Sequence, residues 1–242
     1  MLTSSPPMNR FCAPPRFAAW RGLLLAVAAC LALAAVLAQA RLDADHLRQQ
    51  LAERFDPSRV ELLDDWLAMV ASARSLREDA KLARVNDFIN TRLFFEDDIT
   101  IWGQSDYWAT PLEMIGQGRG DCEDFAIIKY ISLRMAGVAS SRLRLVYSKA
   151  QLDGLAGPVW VAHMVLAYYP SPSAEPLVLD NLNHAILPAS HRGDLQPMFS
   201  FNSDGIFAGV SGRGAATAAA GIGRLSRWED AWGRILAEGY LQ

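Results

Sequence analysis

The sequence predicts an α+β fold in which helices come first and an antiparallel sheet follows. Through the first half of the 242-residue chain, apolar residues recur at helical spacing. Past Gly137, short runs rich in Val, Leu and Tyr take over, separated by Gly and Pro. Helices and strands segregated in this way pack with the helices on one face of the sheet. At the junction stands Gly120-Asp121-Cys122-Glu123-Asp124, which puts a cysteine at the start of a helix.

The N-terminus is read separately. Arg10, Arg16 and Arg21 precede an uncharged apolar run from Gly22 to Ala38, followed by Ala38-Gln39-Ala40. This is the pattern of a secretory signal peptide cut before Arg41; left uncut, the run is near the lower length limit of a membrane anchor. Residues 1–40 are therefore expected to be a signal peptide and 41–242 a single domain. Of the three cysteines, Cys12 and Cys30 leave with the leader, so the exported chain has no internal disulfide and holds its fold by packing alone. The leader holds three arginines and no acid, so its loss takes the formal net charge from −3 to about −6. Nothing in that balance suggests nucleic-acid binding.

The helical stripes are Leu47, Leu51 and Phe55; then Val60, Leu63, Trp66, Leu67 and Val70; then Leu82, Val85, Phe88 and Ile89. Pro57-Ser58 and the stretch from Ser75 to Asp79 mark boundaries between them. Trp102, Tyr107 and Trp108 fall on an expected loop leading to Pro111, where aromatic rings either pack the loop down or line a groove. Phe125, Ile127, Ile128, Ile131, Leu133 and Met135 predict a buried helix stopped by Gly137. Strands are expected over Leu143–Tyr147, Val159–Leu166 and Leu177–Asp180, with a further one over Ser200–Phe207. Residues 209–223 form a Gly/Ala-rich segment expected to be flexible, and a last amphipathic segment surrounds Trp228, Trp232 and Leu236.

A thiol at a helix start becomes a nucleophile when the dipole and a nearby cation favour its thiolate. Its base must lie within hydrogen-bond reach, and that imidazole needs an acceptor on its other nitrogen. His163, in an apolar strand, and Asp180, at the end of the next, can meet if the two strands are antiparallel neighbours in the right register. Singly, each has a structural explanation, as a core histidine and a turn-starting aspartate. The order Cys122, His163, Asp180 on helix, strand and strand points to a cysteine protease or acyl transferase. His46, His184 and His191 lack comparable settings.

Asp121, Glu123 and Asp124 put negative charges beside a sulfur that must itself become negative, and like charges raise a thiol's pKa. Some cation must offset them. Clustered carboxylates suit Ca²⁺, although acids are also favoured in the first turn of any helix.

Trp108-Ala109-Thr110-Pro111-Leu112-Glu113, Gly118-Arg119-Gly120-Asp121-Cys122-Glu123-Asp124 with Lys129-Tyr130, His163-Met164-Val165-Leu166 and Leu179-Asp180-Asn181 resemble the bacterial transglutaminase-like cysteine proteinases, closest to the LapG type. The similarity spans roughly Ala80 to Pro188. It implies a papain-like or transglutaminase-like α+β fold, with the nucleophile helix packed on an antiparallel sheet. It also implies Cys122 as nucleophile, His163 as base and Asp180 as orienting acid. Calcium would be held through Asp121 and Glu123, with Asp124 and Asn183 as further candidate ligands. The family's biology implies a periplasmic enzyme that cuts a large surface adhesin near its N-terminus at a di-alanine site and so promotes biofilm dispersal. Its implied partner is the periplasmic domain of an inner-membrane cyclic-di-GMP receptor, for which an exposed Trp102 or Trp108 is the expected anchor. A transglutaminase or amidase with the same triad and a noncatalytic calcium-stabilised module are the alternatives. The backbone N–H of Cys122 is the expected first oxyanion donor, with Gln117 or Gln104 as the second. Thr217-Ala218-Ala219-Ala220-Gly221 resembles a di-alanine site and is a pseudosubstrate candidate, against a plain linker.

Overall fold

The computed structural model describes residues 44–154, 157–208 and 222–240. The expected signal peptide, most of the Gly/Ala-rich segment and the Thr217–Gly221 pseudosubstrate candidate lie outside them. The chain divides into two units, Met1–Asp45 and His46–Gln242, and the architecture is that of the second. Among the described residues, no helix is long and apolar enough to cross a membrane.

Helix α1 (44–54) places Leu47 and Leu51 in the core. Asp56 then accepts from the Ser58 N–H and starts a short 3₁₀ turn, Pro57–Arg59, which feeds α2 (Val60–Ala73). After α3 (Glu78–Arg92) come β1 (Phe94–Phe95), α4 (Asp98–Trp102), α5 (Pro111–Gln117), β2 (Arg119–Gly120) and α6 (Cys122–Met135). Helix α6 is buried all round from Glu123 to Leu133, as a helix enclosed by other elements must be. Its contact with α2 is fixed by the Trp66 indole N–H, which donates to Ser132 Oγ at 2.8 Å in the core.

The second half is a six-stranded sheet of β3 (Leu143–Gly154), β4 (Gly157–Tyr168), β5 (Leu177–Leu179), β6 (Leu187–Pro188), β7 (Leu195–Asn202) and β8 (Gly205–Ala208). The strand order is β6-β5-β4-β3-β7-β8, antiparallel throughout. On one face of β4, Met164, Leu166 and Tyr168 join the main core with α6; on the other, Val165 and Ala167 join a smaller cluster with Val146 and Val178. Helix α7 (Ile222–Glu238) contributes Trp228, Ala231 and Ile235 to the main core, with the Trp228 indole donating to Asn202 O at 3.2 Å.

Three expectations needed correction. The stretch before Pro111 is not a plain loop, because it contains α4, and Pro111 opens α5 under a Thr110/Glu113 capping box. The single strand expected over Ser200–Phe207 is two, β7 and β8, paired on the far side of β3. Neither Trp108 nor Trp102 is an exposed anchor: Trp108 is 2% exposed and stacks near Phe201, while Trp102 is half-buried against Tyr107. Their apolar rings have more area to bury than the loop alone shields, so the chain folds them inward.

Lys129 of α6 is enclosed with its Nζ on Asp180 O at 2.9 Å, and burial brings its pKa down to about 7 despite the attraction of Asp180. The unfolded chain keeps that proton to near 10.5, so between about 7 and 10.5 the unfolded state binds more protons and this residue makes stability rise with pH. Lys129→Met is expected to lack this rise, which amounts to at most about 1.4 kcal/mol per pH unit. Urea unfolding of both proteins across that window checks the slope difference.

Candidate active site

Cys122 is the first residue of α6, with Asp121 at the N-cap. Asp124 folds back so that its Oδ2 accepts from Asp121 N–H at 3.3 Å, while its Oδ1 accepts from Ala109 N–H at 2.7 Å. The glycine before Asp121 makes this possible, since a Cβ on Gly120 would lie 2.6 Å from Asp124 Oδ2. The two-stranded parallel pairing of β1 with β2, Phe95 opposite Gly120, holds the approach to the cysteine in place.

His163 lies on β4 and Asp180 directly after β5, whose register with β4 sets Leu179 opposite Leu166. The pairing therefore brings both side chains to the same face, and His163 Nε2 meets Asp180 Oδ1 at 2.8 Å in a buried contact. Asp180 Oδ1 also accepts from Leu182 N–H, and Oδ2 accepts from the buried Arg192 at 2.6 Å. Burial pushes the Asp180 carboxyl up, but the bonds from His163 and Arg192 outweigh it and hold the pKa near 2. Lys129 and Asn90 both donate to its backbone carbonyl.

Cys122, His163 and Met164 line one cleft of about 310 Å³ together with Asp121, Glu123, Trp108, Tyr147 and Phe95. Within it, the thiol donates to Glu123 Oε2 at 3.0 Å. Its pKa is raised well above the ordinary value by burial first, then by the charges of Glu123 and Asp121; the N–H of Met164, directed at the sulfur, works the other way.

The acids form a larger cluster than the sequence indicated. Asp121, Cys122 and Glu123 bring ligand atoms within 4.8 Å of one another, and so do Asp98, Asp121 and Asp124. Burial pushes Asp98 to about 7 and Asp121 to about 10, the neighbouring carboxylates adding to both shifts, and it raises Glu123 and Asp124 as well. Asp98 Oδ1 and Asp121 Oδ1 are buried without a hydrogen-bond partner. Oxygen ligands of this density with orphaned lone pairs fit a hard dication such as Ca²⁺. The residues present therefore match the group that the sequence resemblance implied. Asp98 was missed because it lies 23 residues before Asp121, on a helix too short to show a period. Asn183, the remaining candidate ligand, has its Oδ1 engaged with Ala185 N–H in its own turn. Neither Gln117 nor Gln104 lines the cleft; Gln104 belongs to a separate recess with Arg227 and Arg234.

The family model for bacterial transglutaminase-like cysteine proteinases matches residues 68–193. The chain belongs to that family. Its fold is similar to that of Legionella pneumophila LapG, with a TM-score of 0.62 and 33% identity, covering 79% of this chain and 97% of that one. It is similar also to calcium-bound L. pneumophila LapG (TM-score 0.62, 37% identity, 78% and 97% covered) and to the EGTA-treated form (0.63, 33%, 79% and 97%). No curated protein matches the sequence. The papain-like or transglutaminase-like fold and the cysteine-protease class read from the sequence are thus both upheld.

The geometry sets two expected outcomes. Arg192→Met leaves a buried Asp180 oxygen without its cation and is expected to destabilise the protein by about 3 kcal/mol, measured by urea unfolding. Glu123→Gln removes the largest charge effect on the thiol; in chelator-treated protein at mildly alkaline pH, iodoacetamide should alkylate Cys122 severalfold faster than in wild type.

Proposed function

We propose that the protein is a calcium-dependent cysteine endopeptidase with Cys122, His163 and Asp180 as its catalytic triad. The observation that carries the reading is the buried His163–Asp180 pair opening onto the same cleft as a thiol at a helix start. With Nε2 committed to Asp180, His163 has Nδ1 left to take the thiol proton. Cys122 Sγ then attacks the scissile carbonyl, and the N–H of Cys122, unpaired within the helix as a first-turn donor, stabilises the oxyanion. Collapse breaks the C–N bond, His163 returns its proton to the leaving amine, and a thioester remains on Cys122. Water activated by His163 hydrolyses the thioester and restores the thiol.

Asp121 and Glu123, with Asp98 and Asp124 as further ligands, are the residues that would hold calcium. Bound there, the ion would neutralise the charges that otherwise raise the thiol's pKa. The calcium-bound and EGTA-treated forms of L. pneumophila LapG support this reading.

The resemblance extends the proposal to the cell. Residues 1–40 act as a signal peptide and the enzyme works in the periplasm. Its substrate is the N-terminal region of a large surface adhesin, cut at a di-alanine site, so that release promotes biofilm dispersal. The periplasmic domain of an inner-membrane cyclic-di-GMP receptor restrains it. The test is incubation with the N-terminal fragment of a candidate adhesin from the same genome, with calcium, with excess chelator, and with Cys122→Ala. Cleavage is expected only with calcium and an intact thiol, with Cys122→Ala reducing the rate by at least about 10³-fold. Cleavage that survives chelation discards the metal, and cleavage by Cys122→Ala discards the nucleophile.

A further inference from the structure

Strand β4 pairs with β3 along its whole length, from Leu143 opposite Tyr168 to Gly154 opposite Gly157. On its other side, β5 reaches only from Leu166 to Tyr168. From Gly157 to Val165, therefore, that edge of β4 has no partner strand among the described residues. The direction of the backbone groups follows from two contacts. His163 O is met by Ser148 Oγ of β3, and the N–H of Tyr169 donates to Arg142 O just ahead of β3, so the odd-numbered residues of this stretch turn toward β3. Alternation then turns the N–H and C=O of Ala162 and Trp160 outward with those of Met164, away from β3. Gly157–Ala162 are all exposed. At the tip, Pro158 has no N–H to offer, one of the devices that limit unwanted pairing of an edge.

This edge ends at the nucleophile. A strand laid on Trp160 and Ala162 is carried along about 13 Å to Met164, which lines the cleft with Cys122. The surface beneath it is continuous with the cleft: a second recess of about 240 Å³, lined by Tyr147, Lys149, Trp160, Ala162 and Met198, shares Tyr147 and Ala162 with the cleft around Cys122. Trp160 is 47% and Met198 48% exposed there, which provides apolar contact for alternate side chains of a bound strand.

We propose that the polypeptide substrate binds as an added strand on the open edge of β4, paired through the backbone of Trp160 and Ala162 so that its scissile carbonyl arrives at Cys122. The proposal rests on the protease reading and deepens it. Main-chain pairing requires the cleaved segment to be extended and supplies affinity from any sequence; side-chain choice is left to the Trp160–Met198 recess and the cleft itself.

The test uses the full-length protein with calcium and a quenched fluorescent peptide containing a central Ala-Ala pair, together with derivatives N-methylated at one residue at a time. N-methylation at alternate residues on one side of the scissile bond is expected to lower kcat/KM on the order of tenfold, with little effect at the residues between. Trp160→Pro, which removes an outward N–H while leaving the β3 ladder intact, is expected to lower kcat/KM on the order of tenfold beyond Trp160→Ala. Cleavage with no alternation along the peptide overturns strand addition and leaves the protease reading standing. A Trp160→Pro protein that cleaves normally but loses a wild-type dimer assigns the edge to a second copy and also overturns it. Wild-type protein that cleaves no peptide overturns the protease reading and this inference together.

Discussion

Asp180 is the point on which the site depends. Its carboxylate takes His163, Arg192 and the Leu182 N–H, and its carbonyl takes Lys129 and Asn90. Those donors come from α3, α6, β4 and the segments after β5 and β6, so helical layer and sheet are locked together at one residue. The carboxylate stays ionised because hydrogen bonds to its charged form outweigh the penalty of burial. An imidazole held by such an acceptor has a fixed orientation, and His163 is held so in the wall of the cleft that it lines with Cys122.

A second constraint acts on the thiol and opposes the first. The helix start that favours a thiolate is surrounded by Asp98, Asp121, Glu123 and Asp124, buried more deeply than first-turn acids on a surface helix. Hydrogen bonds to Ala109 and Asp121 fix Asp124, yet orphaned oxygens remain on Asp98 and Asp121. A group of acids that raises the Cys122 thiol's pKa while keeping free lone pairs is costly to fold and has the composition of a cation site.

The same architecture leaves β4 half-covered. Because β5 is only three residues long, the strand that carries His163 runs beyond its neighbour and presents its edge beside Cys122. The short β5 thus both delivers Asp180 to the histidine and leaves open the backbone next to Cys122.

By itself, the sequence determined what local periodicity and residue chemistry determine: the segregation of helices from strands, the apolar stripe of each main helix, and Cys122 at a helix start with Asp121 before it. The order of Cys122, His163 and Asp180 was also legible, because each falls at the end or middle of a strongly patterned element. The Thr110-to-Glu113 capping box was readable too, and it makes Pro111 the start of a helix rather than the end of a loop. Tertiary structure alone decided what depends on contacts distant in sequence. Asp98 joins the acids only because β1–β2 pairing and α4 bring it to Asp121. Arg192 reaches Asp180 only because the chain returns past β6. Trp108 is interior because α7 and β7 cover it, which no pattern within its own loop encodes. Strand order is likewise set by which edges remain free once β3 and β4 have paired, a matter of global packing rather than of local propensity.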